Sequence, residues 1–424
     1  MAAQFRINKS KMALFIFIFV EIMVYVIQTS GLHNSELLVS AGEKIVNKQN
    51  PYIPMQPYGT PPALLYWLIN KISPLSLGAT VFIILNLAGI FALLSFILND
   101  TNLITRLQVF SIVLLTSPIR ALVASVQHTG IIFGLLILGY YLASKQIQRG
   151  LLSNSPVLKN ILASLCFALS LEIKWQLALP FILVLGIASS NTKLLFFTVL
   201  SIAFMRVGID LWVGRVLEID QLNVWKIQKL DSQAISEQVS PWKFLGYIFP
   251  ISLDWFTVSF IVYLLLICLL IFKIPRIELR AALFFSLLVP IITAYIHLYD
   301  IVILPILLTY WALLKFKSFP NVFNLGLMLL PTKIDLSSGI IKSFVYVLAI
   351  FAIAMFIGET LKFFDLMKIS VQVAFCFLIV YTTMKLDLIL EERISLQLAI
   401  LYLSFSYVYV KNHNFLNKSR ICES

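Results

Sequence analysis

The sequence predicts an all-α, polytopic transmembrane bundle, and three observations lead there. Sixty per cent of the 424 residues are hydrophobic and only 12% are charged, about half the charge that keeps a soluble chain of this length in solution. Mean hydropathy is +0.94, and the apolar residues fall in long uncharged blocks, each near the length that crosses a hydrocarbon core of about 30 Å. Alternation with a period of two is missing. Since a bilayer core leaves backbone N–H and C=O groups no water to bond, helices are the remaining solution.

Candidate spans run at about 12–30, 75–98, 107–125, 129–144, 158–173, 176–189, 193–213, 253–273, 281–297, 300–316, 340–358, 369–385 and 394–410, with a weaker one near 320–332. That makes about 11–14 segments. The first follows a basic start, MAAQFRINKSKM, but carries Glu21 and is followed by no small-residue cleavage site, so it reads as an uncleaved span. Several segments are only about 14–16 residues long and suit an irregular bundle with wet crevices.

The net charge of +12 has a membrane explanation that removes the need for a nucleic-acid partner. Lys and Arg cluster in short loops, as cytoplasmic loops do. Arg6, Lys9 and Lys11 set the N-terminus in the cytoplasm. Lys145, Arg149 and Lys159 mark one cytoplasmic loop, Lys273, Arg276 and Arg280 another, and Lys315 and Lys317 a third. Lys411, Lys418 and Arg420 keep the C-terminus on the same side. By elimination, segment 31–74, the turn at Gln127-His128, the turn at Lys174, loop 214–252 and the turn at His297–Asp300 fall outside. Loop 214–252 mixes Trp225, Trp242, Phe244 and Tyr247 with Lys226, Lys229 and Lys243, a composition that lies on headgroups. The chain reads as one domain, 1–424, with less specific helices over 320–424.

Several chemistries find no motif. Cys166, Cys268 and Cys376 lie in apolar segments and Cys422 near the end, with no disulfide or metal spacing. There is no G-x-x-x-x-G-K loop and no H-E-x-x-H run. No ligand set demands a metal or other cofactor.

The outer side holds the polar residues that need explaining, and each admits a plain reading beside a chemical one. His33-Asn34-Ser35-Glu36 offers a carboxylate at the membrane–water boundary, either a solvated acid or a general base. Asn50-Pro51-Tyr52 and Pro61-Pro62 are breaker signals that stiffen the outer loop, and Tyr52, Tyr58, Tyr66 and Trp67 suit either an interfacial belt or sugar stacking. Gln127 and His128 wet a helix end or wall a cavity. Lys174-Trp175-Gln176 sits between two short apolar runs, where the cation either snorkels or meets a phosphate. His297, Tyr299 and Asp300 either cap a helix or contact hydroxyl groups. Asp210, Trp212 and Arg215 form a weaker group, and Glu172 is an acid near a span that pairing with a cation would explain.

The order of these motifs resembles the GT-C superfamily of polytopic glycosyltransferases, and within it glycosyltransferase family 87, the polyprenol-phosphate-mannose-dependent mannosyltransferases. The resemblance rests on Glu36, AGEKIVNKQNPY, GTPPALLYWL, SVQHTGIIFGLLILGYYLASK, LSLEIKWQLALP and AYIHLYDIVILP, in that order, over about 20–315. It implies an inverting transferase that takes a sugar, typically mannose, from a membrane-dissolved polyprenyl phosphate outside the cytoplasm. The acceptor is a glycolipid, polysaccharide or protein, and the chain sits as a multi-pass protein in the plasma membrane if bacterial. Asn34 stands where the family's basic Asp is expected, so the resemblance passes that role to Glu36, since an amide cannot take the proton. Lys174 would contact the phosphate, Gln127 and His128 would wall the site, and His297 and Asp300 would face it. Two other classes fit a bundle: a carrier or flippase of a lipid-linked sugar, which would show inverted repeats that the sequence lacks, and a polymerase or ligase, which would need outer-loop arginines where 214–252 offers only Arg215.

Overall fold

The structure is a computed structural model that describes residues 33–50, 60–72, 78–99, 101–114, 116–124, 127–143, 156–188, 192–218, 255–273, 279–292, 297 and 300–310. Every regular element among the described residues is helical. In chain order they are α1 (His33–Val46), α2 (Thr60–Ile72), α3 (Gly78–Ile97), α4 (Leu103–Leu114), α5 (Ser117–Ala124), α6 (Thr129–Ala143), α7 (Pro156–Ala188), α8 (Thr192–Ala203), a π-helical turn (Phe204–Asp210), α9 (Leu211–Val216), α10 (Trp255–Lys273), α11 (Leu279–Leu288) with a 3-10 turn (Val289–Ile292), and α12 (Ile303–Tyr310). Among the described residues, two helical stretches are long and apolar enough to cross a membrane by length and composition: Lys193–Val216, and Val157–Ile187 when it is counted through the break at Lys174. The first and last expected spans, and loop 214–252 beyond residue 218, lie outside the described residues.

Segment 31–74 differs from the expected loop, because much of it is helix. Pro61 and Pro62 begin α2 instead of breaking the chain: proline suits the first helical turn, where an N–H has no partner in any case. α1 ends in a left-handed residue, Lys48 at φ 55°, and the Gln49 N–H returns to the Lys44 carbonyl at 2.7 Å. The two helices pack at Gly42, where a Cβ would lie 2.5 Å from the Ala63 carbonyl oxygen.

The expected span at 107–125 is broken into α4 and α5. Pro118 has no N–H for a helical bond and disfavours helical geometry in the residue before it. The Thr116 hydroxyl donates to the Val113 carbonyl at 2.6 Å and closes the turn. α4 itself begins at an Asn102 cap, whose Oδ1 accepts the Thr105 N–H at 2.8 Å.

α3 and α6 cross with almost no side chain between them. A Cβ on Gly89 would lie 1.8 Å from the Gly130 carbonyl oxygen, and one on Gly130 would lie 2.3 Å from the Asn86 carbonyl oxygen. Small residues allow this approach, the common means of joining helices in an apolar environment. Asn86, buried within α3, uses it: its Oδ1 accepts the N–H groups of Gly130 (3.0 Å) and Ile131 (3.3 Å) at the start of α6, and its amide donates to the Phe82 carbonyl at 2.9 Å. The first turn of α6 is thereby fixed, including Thr129.

α7 is interrupted at Lys174, which has extended backbone angles (φ −155°, ψ 83°). The break is a reversal. The Ser164 hydroxyl reaches the Leu194 carbonyl at 3.3 Å, while a Cβ on Gly186 would lie 2.2 Å from the Leu195 side chain. In a straight helix Ser164 and Gly186 would stand about 33 Å apart. Their contacts with two consecutive leucines hold them within about 20 Å, so the two arms of α7 meet at an acute angle with Lys174 at the apex. The separate runs 158–173 and 176–189 expected around a turn at Lys174 are these arms. On the second arm Pro180 has no N–H for the Gln176 carbonyl, and the buried Tyr263 hydroxyl of α10 donates to it at 3.0 Å.

The crossing of α3 and α6 yields a direct test. Gly89→Ala, whose methyl group meets backbone, should destabilise the fold by about 1–3 kcal/mol. Gly208→Ala, whose nearest neighbour is the exposed Phe204 ring at 3.1 Å, should stay within about 0.5 kcal/mol. Thermal unfolding of the two variants in one detergent measures the difference, and equal midpoints would contradict the close packing.

Candidate functional site

Asp300 organises the site. It lies in the tight turn before α12, where its N–H bonds the His297 carbonyl at 2.9 Å. Its carboxylate, fully buried, accepts four hydrogen bonds. Lys174 Nζ gives two, at 2.6 Å to Oδ1 and 2.8 Å to Oδ2. The Thr129 hydroxyl gives one to Oδ1 at 2.6 Å, and the His297 N–H one to Oδ2 at 3.1 Å. The plain reading of Asp300 as a cap for the next helix is therefore replaced: its oxygens bind the apex of α7, the start of α6 and its own turn. The Lys174 side chain is 13% exposed, which makes this a buried ion pair, the kind whose rupture by loss of one partner costs about 3–5 kcal/mol.

His128 borders the pair. It is buried in the turn before α6, and its Nδ1 shares a hydrogen bond of 2.8 Å with the Tyr66 hydroxyl. Tyr66, from α2, stacks on Phe82 with ring centroids 4.6 Å apart and meets the imidazole edge-on at 4.9 Å. The imidazole pKa is lowered to about 3, first by burial and then by the Lys174 charge, with Asp300 opposing. His128 is thus a neutral hydrogen-bonding wall at physiological pH. Gln127 beside it is buried, and its N–H closes onto the Leu122 carbonyl at 3.0 Å.

A second charged cluster lies two residues before the apex. Arg206 Nε stands 2.8 Å from both oxygens of Glu172, and its Nη1 lies 3.5 Å from Asp210 Oδ2. Asp210 Oδ1 accepts the Thr60 N–H at 2.9 Å, so the first residue of α2 is held to the end of the π-helical turn. Both carboxylates are buried.

The other expected site residues are distributed as follows. Trp175 is exposed and packs edge-on against Phe260 and Tyr263 of α10, so it and the Gln176 carbonyl face that helix. Arg215 is exposed on α9. Asn34 and Glu36 lie in the first turn of α1, and Tyr52 and Tyr299 fall outside the described residues. Thr129 and Arg206 escaped sequence reading. Arg206 had a signal, a cation four residues before an acid inside an apolar run; Thr129 had none, since a hydroxyl residue at a helix start is ordinary. Among the described residues no group of three or more His, Cys, Asp or Glu is placed to hold a metal. No known protein family, curated protein or solved structure matches the chain.

Two outcomes check this geometry. Asp300→Asn should destabilise the protein by about 3–5 kcal/mol, and adding Lys174→Met should recover most of the loss, because the cost is the unpaired ammonium. Relative to His128→Gln, the wild-type protein should also lose stability as pH drops from 6.5 towards 3, since the unfolded imidazole takes a proton there and the folded one does not. The difference between the two pH profiles of thermal unfolding measures it.

Proposed function

We propose that the chain is a multi-pass membrane glycosyltransferase of GT-C type, transferring a sugar from a polyprenyl phosphate to an acceptor on the non-cytoplasmic side. One observation carries the reading. The turns that the loop charges assign to the outer side, at Gln127-His128, Lys174 and His297–Asp300, are far apart in sequence, yet Thr129, Lys174 and Asp300 share one carboxylate. A one-sided polar cluster is what a transferase using a lipid-borne donor needs. The outward apolar faces of α8 and α10 suit lipid: Phe196 is 64% exposed and Phe272 is 79% exposed.

In this reading the acceptor hydroxyl attacks the sugar's anomeric carbon while a base takes its proton. The bond to the lipid phosphate breaks, the phosphate leaves with the electron pair, and the configuration inverts. Glu36 is the base and Lys174 the cation that stabilises the departing phosphate, held in place by Asp300 between turnovers. His128 and Tyr66 would line the sugar's side of the site. The sugar is mannose by resemblance.

A specific observation favours a second reading, a carrier or flippase of a lipid-linked sugar. Lys174 is already neutralised by Asp300, and a buried ion pair of this sort between helices also serves ion-coupled transport. Membranes supplied with a radiolabelled polyprenyl-phosphate sugar separate the two. The transferase reading expects label in a new product and a loss of about 100-fold or more in Glu36→Gln and Lys174→Ala, with Asn34→Ala near wild type. Undiminished transfer by Glu36→Gln removes Glu36 as the base. Label that changes leaflet without forming product supports the carrier.

A further inference from the structure

The cluster around Arg206 is short of one positive charge. Glu172 on α7 and Asp210 at the end of the π-helical turn are both buried, with side-chain exposures of 2% and 0%, and they share one guanidinium. Among the described residues, the groups packed on the pair add no cation: α2 contributes the Thr60 N–H, and Lys174, two residues along α7, is held by Asp300. His128, which feels both Lys174 and Asp300, is neutral. Each carboxylate also keeps one oxygen, Glu172 Oε2 and Asp210 Oδ2, in no well-aligned hydrogen bond. Two buried carboxylates against one guanidinium leave a net negative charge in an apolar bundle, and an uncompensated buried charge takes a proton or an ion in preference to remaining bare.

We infer that Glu172 and Asp210 form a proton-binding site, in which the pair holds one proton between them while Arg206 neutralises the remaining charge. A metal cation is the poorer occupant, because hard cations gather six or more oxygens and the two carboxyl groups here offer four, already facing a guanidinium. The proton closes the balance: two carboxyl groups, one ionised and one neutral, against one cation. The π-helical geometry of Phe204–Asp210 fits such a site, since wide turns of this kind occur mostly where a helix does something besides packing. The inference is independent of the transferase reading.

The balance makes an unusual demand: removing either acid should abolish the proton, since one carboxylate and one guanidinium are already neutral. The full chain in lipid nanodiscs can be followed by pH-difference infrared spectroscopy through the C=O band of a protonated carboxyl group. Wild type should show one such band near pH 7 that disappears as the pH is raised, and Glu172→Gln and Asp210→Asn should each lack it. Exposed Glu218→Gln should keep it. Asn retains an oxygen for the Thr60 N–H, and Gln retains the shape of Glu172, so both variants should fold. Thermal unfolding gives a second measure. Above the ordinary carboxyl range the unfolded groups have released the proton that the native pair still holds, so the pair's contribution to stability is largest at low pH and falls as pH rises. Relative to either variant, wild type should lose about tenfold in its folding equilibrium for each pH unit until the native pair has also released the proton, and nothing beyond that. A band that survives in both variants, or no band in wild type, would overturn the inference. So would a wild-type stability that rises with sodium and not with choline while no band is present.

Discussion

A charge placed in an apolar helical bundle must find a partner there, and that requirement shapes the centre of this molecule. Lys174 interrupts a long apolar helix, and its ammonium is nearly buried. Water cannot compensate it adequately, so a carboxylate must. Asp300 supplies both oxygens, and it does so from a turn 126 residues further along the chain. The ion pair is therefore also a fastening: it ties the apex of α7 to the turn before α12, and through the Thr129 hydroxyl it ties both to the start of α6. Removing one member leaves a buried charge without compensation and releases three elements at once.

The helix packing follows from the same need for close, dry contact. Gly89 and Gly130 let α3 and α6 approach until backbone touches backbone, which brings the buried Asn86 amide to the N–H groups at the start of α6. Those N–H groups have no partner within their own helix, so Asn86 serves as an N-cap delivered from another helix. Thr129 is aimed at Asp300 because the turn it begins is held in this way. A packing feature in one helix pair thus positions a hydroxyl in the polar site. The Gln176 carbonyl, left without its helical partner by Pro180 and bonded by the Tyr263 hydroxyl of α10, is another instance of one helix completing the hydrogen bonding of its neighbour.

Much of this was legible in the sequence, and the gaps have physical causes. Apolar blocks located α3, α6 and both arms of α7 to within a few residues, because helices in a water-free environment are written as uninterrupted hydrophobic runs. The turn at Lys174 was legible from its cation between two short runs. The charge pattern of the loops grouped Lys174, Gln127-His128 and His297–Asp300 on one side, and three of the elements they belong to meet at Asp300. What could not be read is pairing. Nothing in the sequence says that Lys174 chooses Asp300 over Glu172, since both are acids near its level and only the path of the chain separates them. Segment 31–74 carries more helix than its prolines suggest, because Pro61 and Pro62 signal a break inside a helix but a beginning at its first turn, and the difference depends on whether something supports that first turn. Asp210, 150 residues away, accepts the Thr60 N–H there.

The two ionic clusters, though neighbours on α7, differ in kind. At Asp300 one acid meets one base, and all four short hydrogen bonds are made: the charges balance and the carboxylate is saturated. At Arg206 two acids meet one base, and an oxygen on each acid lacks a good bond. The first arrangement is what fixed architecture requires, because a saturated pair gains nothing by changing partners. The second is what a responsive element requires, because its energy depends on whether a proton is present.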